Sequence, residues 1–266
     1  MTSLDTPQDR RVVVAFSQAK WDSLASEIKR NMAGNPGLAV LIVDGESHLD
    51  PDVTQKLLSA YTINGGDVLV QNPYSTSRYF LEEDAAVEIA LEKTLCVAEV
   101  CHLLGARKFE VNSVQNATDG TEWNAVGGGG AKGIVGKLKA NGGRSQQLAR
   151  KITLADSSSG GAPDVNAARE YLSRHNLESD SMLRSLVDMA AFPGNSIESR
   201  SLTIDVSREA KSTLKLALEI NAANQAAGTA SGGREKRNVD QFTVQYTIEF
   251  PNHEPSAPDH DRSSKL

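Results

Sequence analysis

The chain has 266 residues, with 28 Lys plus Arg against 34 Asp plus Glu and a net charge of −6. That length holds one large domain or two small ones. A hydrophobic fraction of 39% and a charged fraction of 23% exclude a wholly disordered or collagen-like chain. The two cysteines, Cys96 and Cys101, are too few for a disulfide scaffold or for most zinc-ribbon schemes.

Residues 1–10 are polar and lack the charged-then-apolar layout of a signal peptide, so a flexible N-terminus is expected there. The longest uninterrupted apolar run, Leu38 to Val43, is far shorter than the roughly 20 residues that span a bilayer. The expectation is a cytoplasmic protein without a transmembrane helix. Residues 251–266 are rich in Pro, Ser, His and charge and read as a disordered tail.

Residues 11–106 alternate between strand and helix patterns. Val12 to Phe16 is a short β-branched run. Trp21, Leu24, Ala25, Ile28 and Met32 then recur at helical spacing, with Ser17 as a cap and Gly34 and Pro36 as a stop. Leu38 to Val43 is continuously apolar, as in a strand buried on both faces. Asp50-Pro51 reads as an N-cap followed by Pro at the first helical position, and Asn64-Gly65-Gly66 ends that helix before a strand at Asp67 to Val70. The stretch from Leu38 to Val70 has the length of one βαβ unit, which predicts a layer of parallel strands. A long helix from about Glu82 to Leu104 closes this region. It is apolar around most of its circumference, with Glu88, Glu92 and Glu99 as a narrow polar stripe, and is predicted to be central.

In residues 107–250 the pattern turns to period two. Phe109 and Val111, then Ile134 to Ala140, then Ile152 and Leu154, then Leu202, Ile204 and Val206, then Leu214 to Ile220, and finally Phe242 to Phe250 all alternate with polar residues. Antiparallel strands with one buried face are expected for each. A helical insertion at 164–192 interrupts them, broken near Asn176. The fold class is therefore α+β (mixed): an N-terminal alternating β/α layer followed by an antiparallel β-meander region with packed helices. The succession of helix, strands and a Gly-Gly-Arg triplet occurs twice, which allows an internal duplication of a helix-plus-meander unit.

The motifs that resemble catalytic signatures each lack a required part. Gly128 to Gly133 fits a dinucleotide-binding spacing, but the residues after it alternate like a strand rather than opening a helix. Glu99 and His102 form a Glu-x-x-His pair with no partner motif, and Cys96 and Cys101 lie roughly 140° apart around a helix, so no metal site and no cofactor are predicted. The expectation leans against enzymatic activity. The catalytic candidates are positional: ligands of open α/β sheets bind beyond the carboxyl ends of the strands. Ser17 follows the first strand and Asp44 and His48 the second. Glu46, Asn72 and Tyr74 join them as ligand-binding candidates.

Charge is distributed unevenly. Between Trp123 and Ala155 lie six basic residues (Lys132, Lys137, Lys139, Arg144, Arg150 and Lys151), no acidic ones, and eight of the 21 glycines; the rest of the chain carries −12. This basic Gly-rich hairpin (123–155) is a candidate contact for an anionic or protein partner. Nucleic acid is disfavoured as that partner, because Trp123 is the single aromatic available for stacking. The leading expectation is a non-enzymatic protein that binds a partner or self-assembles. One alternative is a conditional pore former with amphipathic segments at 133–155 and 202–222, gasdermin-like or perforin-like in architecture only, acting on anionic lipid. The other is an enzyme or nucleotide-binding module at the N-terminal strand ends.

Overall fold

The computed structural model describes residues 12–47, 49–118, 120–124, 143–152, 155–157, 159–192, 198–227 and 239–251. The chain is α+β, with two sheets that are mostly antiparallel. In the first sheet the order is β2 (Leu38–Ile42), β1 (Val12–Phe16), β3 (Val68–Asn72), β4 (Ser75–Leu81). The helices α1 (Gln18–Ser23) and α2 (Ser26–Ala33) carry the chain from β1 to the parallel strand β2. The predicted single helix of this connection is thus two short ones. The trans-sheet connection α3 (Pro51–Ala60) then delivers β3 to the other side of β1, antiparallel to it.

Two features differ from the expected layer of parallel strands. The parallel βαβ unit spans β1 to β2, not Leu38 to Val70, and the third strand runs the opposite way. The strand β4 was not predicted. Its residues, Ser-Thr-Ser-Arg-Tyr-Phe-Leu, are largely polar and half exposed, so they carry little apolar signal. They pair with β3 through a tight connection at Pro73-Tyr74.

The second sheet is ordered β6 (Thr121–Asn124), β5 (Lys108–Asn116), β9 (Phe242–Glu249), β8 (Ser199–Asp205), with β7 (Ala155–Ser157) pairing the start of β5 beside β6. Every pairing in it is antiparallel. The alternation read from Phe109, Val111, Leu202, Ile204 and residues 242–250 is realised as one buried and one solvated face. Between the sheets lies α4 (Glu82–Leu103), the predicted long helix, which packs on β3 and β4 of the first sheet and on β9 of the second. Its C-terminal end is closed by Gly105 at φ +80°, where the Ala106 N–H bonds back to the Cys101 carbonyl in a Schellman arrangement. One apolar core therefore runs from Val12, Val14 and Phe16 through Ala86, Ile89, Val97 and Val100 to Phe109, Val244 and Tyr246. It crosses the expected boundary at 106/107 without interruption. A smaller cluster of Val13, Ala15, Leu41, Leu57 and Leu69 lies on the other face of the first sheet, under α3.

The helical insertion is confirmed as α6 (Val165–Arg174) and α7 (Ser181–Ala190), separated where Asn176 adopts φ +55°. The strand expected at 214–220 is helical: residues 211–227 form α8. Within the expected hairpin at 123–155, Arg144–Lys151 forms α5, and Ile152, expected in a strand, is its C-cap. Both helices carry a buried stripe. Thr213, Leu214 and Ala217 are buried on α8, with Ala210 just before it, and Ser145, Leu148 and Ala149 on α5, with Ile152 at its C-cap. Because 214–220 is helical, the second pass of the suggested duplication lacks the strand assigned there. Residues 133–140 and Leu154 lie outside the described residues, as do residues 1–10 and 252–266.

Candidate functional site

The polar rim proposed at the strand ends is not brought together. Because β3 runs antiparallel to β1, with Val12 opposite Val70, Asn72 and Tyr74 emerge at the end of the sheet opposite Ser17 and Asp44. At the first end, Ser17 and Asp44 do meet, but around the start of α1. The Ser17 hydroxyl accepts the Lys20 N–H at 3.3 Å, and the Asp44 carboxylate accepts the Gln18 N–H at 2.6 Å. Both side chains satisfy orphan helix donors there. Glu46 is exposed on a shallow groove with Ser47, Leu49, Pro51, Thr54 and Leu58, and His48 lies outside the described residues.

Two described residues of the basic strip are engaged in ion pairs. Arg144 binds Asp240 at 2.7 Å and Lys151 binds Glu88. Arg150 is exposed, and Lys132, Lys137 and Lys139 lie outside the described residues. The cysteines are core residues, as expected. Burial pushes the Cys96 thiol up to about 11 and raises Cys101 further. Among the described residues no group of three or more His, Cys, Asp or Glu is placed to hold a metal.

A different polar cluster occupies the junction of the two sheets. Its centre is Lys93, fully buried on α4. An isolated ammonium there would cost several kcal/mol in lost hydration. Four oxygens meet it instead. Asp180 Oδ2 is at 2.8 Å, Glu209 Oε2 and Oε1 at 2.8 and 2.9 Å, and the Asp205 carbonyl at 3.0 Å. Two carboxylates against one ammonium leave an excess negative charge, which neighbouring donors offset. Asp180 is the N-cap of α7, and its Oδ1 accepts the Met182 and Leu183 N–H groups at 3.0 and 3.2 Å, at the positive end of the helix. Burial alone would raise the Asp180 carboxyl. The Lys93 hydrogen bond and charge, with those two N–H groups, outweigh it and hold the carboxyl below its ordinary range. The Tyr74 hydroxyl donates to Glu209 Oε2 at 2.9 Å, and burial followed by the Glu209 charge keeps this phenol well above its usual range.

The cluster joins four separate parts of the chain: α4, the start of α7, the loop after β8 and the β3–β4 connection. Asn72 and Tyr74, two of the sequence-derived candidates, belong here. The Asn72 side-chain oxygen accepts the Tyr74 N–H at 3.0 Å, while its buried Nδ2 has no hydrogen-bond partner. His175 Nδ1 and Asn176 Nδ2 each lie 3.0 Å from the carbonyls of Tyr74 and Pro73, bracing the same connection from the α6–α7 link. Next to Lys93, the Thr94 and Tyr246 hydroxyls pair at 3.1 Å beneath β9.

Lys93, Asp180 and Glu209 were not singled out from sequence. Lys93 carried a usable signal: it falls on the apolar stripe of α4 with Ala86, Ile89, Ala90, Val97 and Val100 rather than among the exposed glutamates. A cation at such a position has to find buried anions. Nothing local identifies which anions, since Asp180 and Glu209 are distant in sequence and lie on elements of ordinary composition.

At the other side of the second sheet, β8 is an open edge. Phe250 N–H bonds the Glu198 carbonyl and Val206 N–H bonds the Phe242 carbonyl, so the even-numbered residues of β8 face β9. The backbone groups of Ser199, Ser201 and Thr203 point outward, and all three residues are exposed. No second strand covers them among the described residues. The chain matches no protein-family model, no curated protein and no solved structure.

Proposed function

We propose that this protein works by self-association through the β8 edge, extending the antiparallel sheet across two copies. The observation that carries this reading is the edge itself: seven residues with an unbroken register, no proline and no bulge, its cation Arg200 engaged with the Met189 sulfur. Strand addition draws its affinity from main-chain hydrogen bonds, and the outward N–H and C=O groups of Ser199, Ser201 and Thr203 supply a run of them. The edge is also self-complementary. A two-fold axis at Ser201 would set Ser199 against Thr203 of the second copy and Arg200 against its Leu202, with no like charges opposed. Asp205, whose carbonyl is held by Lys93, falls outside that pairing.

Thr203→Pro removes one outward N–H and leaves the β9 ladder intact. The wild-type chain is expected to sediment as a concentration-dependent dimer and the variant as a folded monomer. A wild-type chain that stays monomeric at millimolar concentration would refute the proposal.

A second reading, conditional membrane perforation, is supported by one observation. Residues 214–220 alternate Leu-Lys-Leu-Ala-Leu-Glu-Ile with strand period although they fold as helix α8, so the segment is compatible with an amphipathic strand as well. Leakage of dye from vesicles of anionic lipid, with the full chain and with residues 251–266 removed, tests it. Silence in both forms ends it.

A further inference from the structure

The centre of the Lys93 cluster brings an amine and a carboxyl group together with the parts needed to join them. Lys93 Nζ lies 2.8 Å from Asp180 Oδ2, with the Lys93 side chain fully buried and that of Asp180 6% exposed. The opposite oxygen, Asp180 Oδ1, already accepts two backbone N–H groups at the N-terminus of α7. Those are the donors that would stabilise an oxyanion if a nucleophile added to the carboxyl carbon. Both oxygens of Glu209 lie within 2.9 Å of the same nitrogen, placing a proton acceptor at the reacting group. Tyr74 fixes Glu209 from behind.

We propose that Lys93 and Asp180 condense into an intramolecular isopeptide bond, with Glu209 as the proton carrier. Lys93 first passes a proton to Asp180 Oδ2, giving an amine beside a carboxylic acid. The ion pair is the resting state, and loss of hydration lowers the cost of passing transiently through the neutral pair. The Nζ lone pair then adds to the Asp180 carboxyl carbon. Negative charge develops on Oδ1, against the Met182 and Leu183 N–H groups. Glu209 removes a second proton from Nζ and delivers it to Oδ2, which departs as water while the C=O to Oδ1 reforms. One proton stays on the new amide nitrogen and Glu209 returns to its starting state. The sum is loss of one water, with no oxidant, reductant or cofactor. The product conserves the local structure: Oδ1, now an amide oxygen, still caps α7, and the amide N–H can donate to the Asp205 carbonyl.

Orientation is what makes such a reaction accessible. Holding reactants at contact distance corresponds to effective concentrations of about 10⁵ M or more. The bond would tie α4 to α7 covalently across the junction of the two sheets.

The test is the mass of the purified full chain under denaturing, reducing conditions, followed by peptide mapping. The expected result is a chain lighter than its sequence mass by one water, and a proteolytic fragment in which Lys93 resists trypsin and is joined to the segment containing Asp180. Glu209→Gln and Asp180→Ala are each expected to restore the full mass. A wild-type chain of full sequence mass, with separate Lys93 and Asp180 peptides, overturns the proposal whatever the variants do. A bond that persists undiminished in Glu209→Gln overturns the role given to Glu209.

Discussion

Replacing Lys93 by methionine keeps the length of the side chain and removes its charge, leaving Asp180 and Glu209 facing each other across the buried junction. Whether Lys93 is held there as an ion or as an amide, the substitution strands two carboxylates. Removing one member of a buried pair costs about 3–5 kcal/mol, because the remaining charge has neither water nor partner. Lys93 is fully buried and its partners are 6% and 14% exposed, so solvent screening is slight and little discount applies. For a chain of this size that loss corresponds to a fall in Tm of roughly 6–20 °C. The pH response sharpens the test. Before condensation the Asp180 carboxyl is held below its ordinary value of 3.8, so the ion pair's contribution is present above that pH and is lost as pH falls; once the amide forms, Asp180 no longer titrates. In Lys93→Met the carboxylates have lost their cation, and burial with mutual repulsion raises their folded-state affinity for protons. The variant therefore loses stability as pH rises from about 4 towards 7, where the wild type does not. Urea denaturation at a series of pH values measures both slopes. A loss under about 1 kcal/mol at neutral pH, with parallel profiles for the two proteins, would refute the account of the cluster.

Three further outcomes follow from the same geometry. Gly105→Ala places a Cβ at a positive-φ position and against the Gly161 carbonyl, so a loss of more than about 1 kcal/mol is expected in denaturant titration. Leu148→Ala empties a fully buried position on α5, which packs on β5, and should cost about 2–5 kcal/mol, read by the same titration; a neutral result would refute that packing. Cys96 and Cys101 are expected to resist a thiol reagent at pH 8 in the native chain and to react at once in urea, because burial disfavours both thiolates.

Much of the architecture was legible in the sequence wherever one periodicity acted alone. The apolar run of β2, the alternation of β5 and β9, the Asp50-Pro51 start of α3 and the full length of α4 each follow from which faces are buried, and that is a local property of the pattern. The pattern failed where two periods coexisted. Leu214, Leu216, Leu218 and Ile220 alternate, yet Ala210, Leu214 and Ala217 also form a helical stripe, and packing of that stripe on the first sheet selected the helix. Strand direction was not encoded locally either. The direction of β3 against β1 depends on the end of the sheet to which α3 delivers the chain, and this separates Ser17 and Asp44 from Asn72 and Tyr74. Charge divides the same way. A net charge of −6 and its uneven spread are properties of the chain alone. That Arg144 and Lys151 are matched by Asp240 and Glu88, and that Lys93 is enclosed by Asp180 and Glu209, was decided by tertiary structure. The physical reason is that a buried cation must acquire counter-charges within hydrogen-bond reach, and only the folded chain brings residues 93, 180 and 209 to that distance.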